Sequence, residues 1–196
     1  MKHIYQKGDG HTLILLHGTG GDENDLIPLA KMVSPQSSIL SIRGNVLENG
    51  MPRFFRRLAM GVFDQENLKE ETQNLYHFLL EAAQTYQFDL NKSTIIGFSN
   101  GANIAISLLF TYNYPVGQAI LLRPMIPNEV ILSKSLNQTD VIIISGNYDT
   151  IVPPAHGQRL TTLFQGLQAN TTLFQLDATH RLTEEDVKIM KENIKK

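Results

Sequence analysis

The chain has 196 residues, 42% of them hydrophobic, and a formal net charge of −2. That is enough apolar material for one well-packed domain and too little for two ordinary ones, and so small a charge provides no global field favouring nucleic acid or an anionic membrane. The absence of cysteine excludes a disulfide scaffold, a thiolate metal site and a cysteine nucleophile. The first ten residues contain no apolar stretch of the kind a secretory signal needs, and no apolar run approaches the ~20 residues of a membrane span. The expectation is a single soluble, cytoplasmic domain over residues 1–196, with no membrane insertion and no nucleic-acid partner.

Strand-like and helix-like segments alternate along the chain. Residues 2–7 and 11–17, split by Gly8-Asp9-Gly10, predict an antiparallel hairpin at one edge of a sheet. Within the second segment, Leu13-Ile14-Leu15-Leu16 is a continuous apolar run, as expected of a strand covered on both faces. Residues 24–33 carry helical periodicity through Leu26, Leu29, Ala30 and Val33, and Ser38-Ile39-Leu40-Ser41-Ile42 is the next strand. Residues 43–63 then break the rhythm, being rich in Gly, Asn, Pro and Arg with Met51, Phe54, Phe55 and Met60 interspersed. The longest helix is expected over 66–88, with Leu68, Leu75, Phe78, Leu79, Ala82 and Tyr86 on one stripe. Strands follow at 93–98, 119–122, 141–144 and 172–176, with a helix at 154–168 before the last of them. Thr183-Glu184-Glu185-Asp186 opens the final helix and resembles a capping box with Asp in the usual Glu or Gln position. This βαβ rhythm predicts an α/β fold, a mostly parallel central sheet with helices on both faces and no room for a large cap domain.

The most informative motif is Gly97-Phe98-Ser99-Asn100-Gly101, a G-x-S-x-G turn between the run Ser93-Thr94-Ile95-Ile96 and an apolar helical segment. Such a turn lifts a serine hydroxyl above the carboxyl end of the sheet. A serine hydroxyl is a poor nucleophile until a base removes its proton, and the base needs a third group to orient it. In this strand-turn-helix arrangement the chain order is Ser, then acid, then His. His180, on a loop after strand 172–176, is better placed to be the base than His156 in the first turn of a helix. Asp149, in the turn after strand 141–145, is the preferred acid over Asp177 and Asp140. Donors for a developing oxyanion are expected from the backbone N–H of Asn100 and from the loop His17-Gly18-Thr19-Gly20-Gly21-Asp22, with Thr19 the candidate. His17 precedes the serine and is read as a support for that loop.

Residues 43–63 follow a strand and so should lie over the carboxyl edge of the sheet, where open α/β sheets bind ligands. Two readings are equally weighted. In one, Met51, Phe54, Phe55 and Met60 wall an apolar substrate pocket; in the other, a surface loop tucks them into the core. Arg43, Arg53, Arg56 and Arg57 form either a basic patch at its mouth or, the favoured reading, a solvated surface cluster. The histidines are scattered without H-E-x-x-H spacing, so no metal site is expected.

These motifs resemble the carboxylesterase/phospholipase/acyl-protein thioesterase family of α/β-hydrolases. The matching pieces are residues 15–22, Gly97-Phe98-Ser99-Asn100-Gly101, residues 146–153 and Thr179-His180-Arg181-Leu182. Residues 43–55 are similar to a small bacterial branch associated with hydroquinone and aromatic-compound degradation. The resemblance implies Ser99 as nucleophile, Asp149 as acid, His180 as base, and Thr19 and Asn100 as oxyanion donors. It also implies that no cofactor is needed, and it is compatible with a homodimer, on which composition is silent. Two positions depart from many relatives: Asn100 stands where they carry Gln, and Thr179 where they carry Gly. The expected activity is hydrolysis of small acyl or aryl esters. The alternatives are a thioesterase or lysophospholipase, or a non-catalytic small-ligand binder on the same fold.

Overall fold

The computed structural model describes residues 1–113, 115–128 and 134–195. Its centre is a seven-stranded sheet built from β1 (His3–Gln6), β2 (Thr12–Leu16), β3 (Ser38–Ile42), β8 (Thr94–Phe98), β9 (Gln118–Leu122), β10 (Asp140–Gly146) and β11 (Asn170–Leu176). The order is β1-β3-β2-β8-β9-β10-β11, and every pair is parallel except β1 with β3. The inner strands are short apolar runs because both of their faces are covered. Alternation along each strand sorts the side chains between two cores. Ile14, Leu16, Leu40, Ile95, Leu121 and Ile143 face one layer, formed by α2 (Gln65–Tyr86), α3 (Asn100–Thr111) and α4 (Ala155–Gly166). Leu13, Leu15, Ile39, Ile96, Leu122 and Ile144 face the other, formed by α1 (Ile27–Val33) and α5 (Glu184–Asn193). Burying each such side chain contributes roughly 1.5–3 kcal/mol.

The expected hairpin between the first two segments does not form. β1 pairs with β3, with His3 opposite Ile42 and Gln6 opposite Ile39, while β2 lies between β3 and β8. The turn at Gly8-Asp9-Gly10 is tied to the start of β3: Asp9 N–H donates to the Gln36 carbonyl at 2.8 Å and Gly8 N–H to Ser38 Oγ at 3.0 Å. β2 has both neighbours parallel and is wholly buried, which leaves half-buried β1 the edge position.

Residues 43–63 are not irregular throughout. They form two short antiparallel hairpins, β4 (Val46–Glu48) with β5 (Met51–Arg53) and β6 (Arg57–Ala59) with β7 (Val62–Phe63). The long helix α2 starts where Asp64 accepts a hydrogen bond from Asn67 N–H at 3.0 Å. It ends at Gln87, whose φ of 57° is left-handed. The first helix is shorter than its periodicity suggests. It opens at Ile27 with Pro28 in its first turn, while Asn24 N–H is held by the Asp22 side chain at 2.8 Å. Among the described residues no helix is long and apolar enough to cross a membrane.

Candidate active site

Ser99 sits between β8 and α3 with φ 51° and ψ −110°, a conformation costly for a non-glycine residue. Its N–H is anchored to the Leu122 carbonyl of β9 at 2.9 Å. The flanking glycines are required by close approach. A Cβ on Gly101 would lie 2.0 Å from the Leu16 carbonyl oxygen, and one on Gly97 would lie 2.7 Å from Ala102 Cα. The turn therefore presses α3 against β2 and leaves the Ser99 hydroxyl half-exposed at the carboxyl end of the sheet.

His180 and Asp149 complete a hydrogen-bonded line. His180 Nε2 lies 3.0 Å from Ser99 Oγ, and His180 Nδ1 lies 2.7 Å from Asp149 Oδ2. Asp149 follows β10, and its other oxygen accepts the N–H groups of Ile151 at 2.8 Å and Val152 at 2.9 Å. Those bonds aim Oδ2 at the histidine. Phe98 packs against the His180 ring at a centroid distance of 5.4 Å. The rival groups are engaged elsewhere: Asp177 accepts from Asn147 Nδ2, Asp140 pairs with Lys195, and His156 Nδ1 accepts from Ile126 N–H.

Thr19 and Asn100 lie beside Ser99 in one cleft, and neither backbone N–H has an acceptor among the described residues. Asn100 opens α3, so its N–H belongs to the unsatisfied helix N-terminus and carries the positive end of the helix dipole. A strap of residues 52–54 holds both neighbours of the serine. Gly20 N–H donates to the Pro52 carbonyl at 2.9 Å, Arg53 Nη1 to Thr19 Oγ1 at 2.7 Å, and Phe54 N–H to Asn100 Oδ1 at 2.7 Å. This last bond is what the Asn100 side chain does at the position where the resemblance led one to expect Gln. His17 is part of the same framework. Its Nδ1 meets the Gly18 carbonyl at 2.6 Å and its Nε2 accepts from Gly44 N–H at 3.1 Å. The ring is therefore a neutral Nδ1–H tautomer, and burial pushes its pKa down.

The cleft above Ser99 has a volume of about 50 Å³. Of the pocket candidates, Met60 lines it, and Met51 lies beside Gly20, partly exposed. Phe54 and Phe55 do not wall the cleft: both are wholly buried in the core, with Phe54 against His17 at 4.8 Å and Phe55 against Phe63 at 5.2 Å. Full burial of a large ring outweighs the partial shielding a cleft wall offers it. The four arginines do not act as one group. Arg43 pairs with Asp22 and Glu23, and Arg56 with Asp64 near the surface. Arg53 and Arg57, by contrast, line the cleft.

Arg123, a residue that sequence reading passed over, organises the histidine loop. Its side chain and that of Asp186 are both fully buried and paired at 2.7 Å. It also donates from Nε to the Thr179 carbonyl at 2.9 Å and from Nη2 to the Arg181 carbonyl at 3.0 Å, on either side of His180. Asp186 in turn accepts Thr183 N–H at 2.7 Å, half of the expected capping box. Thr179 is not among the residues with positive φ, so the backbone at this position does not require the glycine that the resemblance implied. A lone Arg after a strand gives no sequence signal for such a role.

The sequence matches the phospholipase/carboxylesterase family over residues 4–196. It is 42% identical over 193 residues to the Bacillus subtilis (strain 168) protein MhqD, covering 98% of this chain and 96% of that one. Among solved structures, the Bacillus cereus carboxylesterase superposes with a TM-score of 0.95 at 48% identity, over 98% of this chain and 92% of that chain. YahD, solved with malic acid, superposes with a TM-score of 0.91 at 30% identity, over 97% and 96% of the two chains. A parallel sheet flanked by helices, a serine elbow and these likenesses over nearly the full length converge on one statement: the chain belongs to the phospholipase/carboxylesterase family of α/β-hydrolases.

Proposed function

We propose that the protein is a serine carboxylesterase acting on esters with short acyl or aryl groups, with Ser99 as nucleophile, His180 as general base and Asp149 as the orienting acid. The observation that carries this reading is the unbroken hydrogen-bond line from Ser99 Oγ through His180 to Asp149, at 3.0 and 2.7 Å. Ser99 Oγ attacks the ester carbonyl carbon as its proton passes to His180 Nε2. Asp149 holds the Nδ1–H and stabilises the imidazolium. The carbonyl oxygen, now anionic, takes the N–H groups of Thr19 and Asn100, each such donor being worth about 3–4 kcal/mol to the transition state. Collapse expels the alcohol oxygen, which receives the proton from His180. Water then releases the acid from Ser99 by the same route in reverse. With no large cap domain to enclose a long acyl chain, short chains are favoured.

The test is turnover of p-nitrophenyl acetate, butyrate and octanoate by the wild type and Ser99→Ala. The expected result is a decline in kcat/KM with chain length and a loss of about a thousandfold or more in kcat for Ser99→Ala. An inert wild type, or a fully active Ser99→Ala, removes the esterase reading and leaves a ligand-binding α/β-hydrolase fold in its place.

A further inference from the structure

The excursion between β3 and α2 brings two guanidinium groups to the cleft that holds Ser99, those of Arg53 on β5 and Arg57 on β6. They share a single carboxylate. Arg57 Nε donates to Glu48 Oε1 at 2.7 Å. Arg53 Nε is 3.3 Å from Glu48 Oε2, but that oxygen accepts no hydrogen bond. The Arg53 side chain is only 3% exposed; burial works against its charged form, Glu48 favours it, and the charge of Arg57 opposes it. Two cations against one anion leave this wall of the cleft with one uncompensated positive charge in a partly dry setting.

The donors of this wall are also in excess. Arg53 uses Nε on the Phe55 carbonyl and Nη1 on Thr19 Oγ1, and its Nη2 has no acceptor among the described residues. The terminal nitrogens of Arg57 meet no oxygen there either, only Met60 Sδ at 4.0 Å. Asn100 and Asn103, both lining the cleft, have their carbonyl oxygens taken by the backbone N–H groups of Phe54 and Met125. Asn100 Nδ2 is thereby left buried without a partner. Arg53 Nη2, the terminal nitrogens of Arg57 and Asn100 Nδ2 thus offer N–H groups with no acceptor oxygen among the described residues.

We propose that this wall binds a carboxylate carried by the ester itself, so that the preferred substrates are monoanionic: half-esters of short dicarboxylic acids, or acyl esters of small hydroxy acids. The proposal rests on the esterase reading above. One net positive charge matches one carboxylate, and the guanidinium fork matches its two oxygens.

The experiment compares kcat/KM for monoethyl succinate against ethyl butyrate, with the carboxylate on the acyl side, and for acetoxyacetate against propyl acetate, with the carboxylate on the alcohol side. In at least one pair the anionic ester is expected to be preferred about tenfold or more, and added salt should shrink that ratio. Arg57→Gln should bring the ratio close to one. Glu48→Gln, which removes the shared counter-ion, should raise it, so the two variants move in opposite directions. Ratios at or below one in both pairs, with the neutral esters turned over, overturn the carboxylate site and leave the esterase reading standing. A preference that survives Arg57→Gln unchanged also overturns the site. Failure of the folded wild type on every ester, p-nitrophenyl acetate included, overturns both.

Discussion

At the scale of single residues, Arg123 connects the core to the chemistry. It makes hydrogen bonds to the carbonyls of Thr179, Ile144 and Arg181 and to both oxygens of Asp186. Every one of its five donor hydrogens thus has a use, as a buried cation requires. Arg123→Leu leaves Asp186 as an unpaired buried charge, and the expected cost is about 3–5 kcal/mol, read from the urea midpoint. Adding Asp186→Asn removes the orphan charge while keeping an acceptor for Thr183 N–H, so the double variant should recover part of that loss. Neither change restores the anchors flanking His180. Both variants should therefore show kcat down by about a hundredfold with KM little moved, because His180, the proposed base, is misplaced rather than the binding surface. A double variant with wild-type kcat would show that α5 and β10 hold the histidine loop without the guanidinium.

At the scale of elements, the elbow illustrates how tightly secondary structures are pressed together around Ser99, the proposed nucleophile. A methyl group on Gly101 cannot be accommodated by a rotamer change, since what it meets at 2.0 Å is the backbone carbonyl of Leu16. Gly101→Ala is expected to push α3 away from β2 and to cost about 3 kcal/mol, measured by thermal unfolding, with esterase activity lost because Asn100 N–H moves with the helix. This part of the site was legible in the sequence because strand, tight turn and helix are contiguous, and glycine is the only residue that permits the approach. The inner strands were legible for a related reason: burial on both faces forces unbroken runs such as Val141-Ile142-Ile143-Ile144. What was not legible depends on partners distant in sequence. Nothing local to His3–Gln6 says that it pairs with β3 rather than β2. The hairpins of β4 to β7 have strands of two or three residues with half-exposed faces and no clean alternation. Phe54 and Phe55 read equally well as cleft wall or core until the strap that carries them is seen bonded to Asn100. Arg53 and Arg57 separate from Arg43 and Arg56 only through where their counter-ions lie.

At the scale of the whole molecule, the fold disfavours the charged form of three histidines in its interior or near it. His11, His17 and His156 all have pKa values pushed below the ordinary 6.5, in each case mainly by burial. In the unfolded chain they titrate near 6.5, so below that pH the unfolded state binds more protons than the folded state. Stability is therefore fully present above pH 6.5 and falls as the pH drops below it. The depressed carboxylates cannot account for a decline in that range. Asp22, Glu23, Asp64 and Asp140 lose their contribution only below their ordinary values of 3.8 to 4.5. Glu71, which burial holds above 4.5, acts in the opposite sense just above that value. His17 makes the decline consequential for function, because protonating Nε2 would set N–H against the Gly44 N–H it now accepts and loosen the loop that carries Thr19. Urea midpoints for the wild type should be level from pH 8 to 6.5 and fall from 6.5 to 5. His17→Gln, less stable at every pH, should fall less steeply over the same interval, because it has one fewer proton to take up on unfolding. A wild-type midpoint that stays flat from pH 8 to 5 would mean that these three rings titrate alike in the folded and unfolded chain, and that the neutral His17 tautomer contributes nothing to holding the loop.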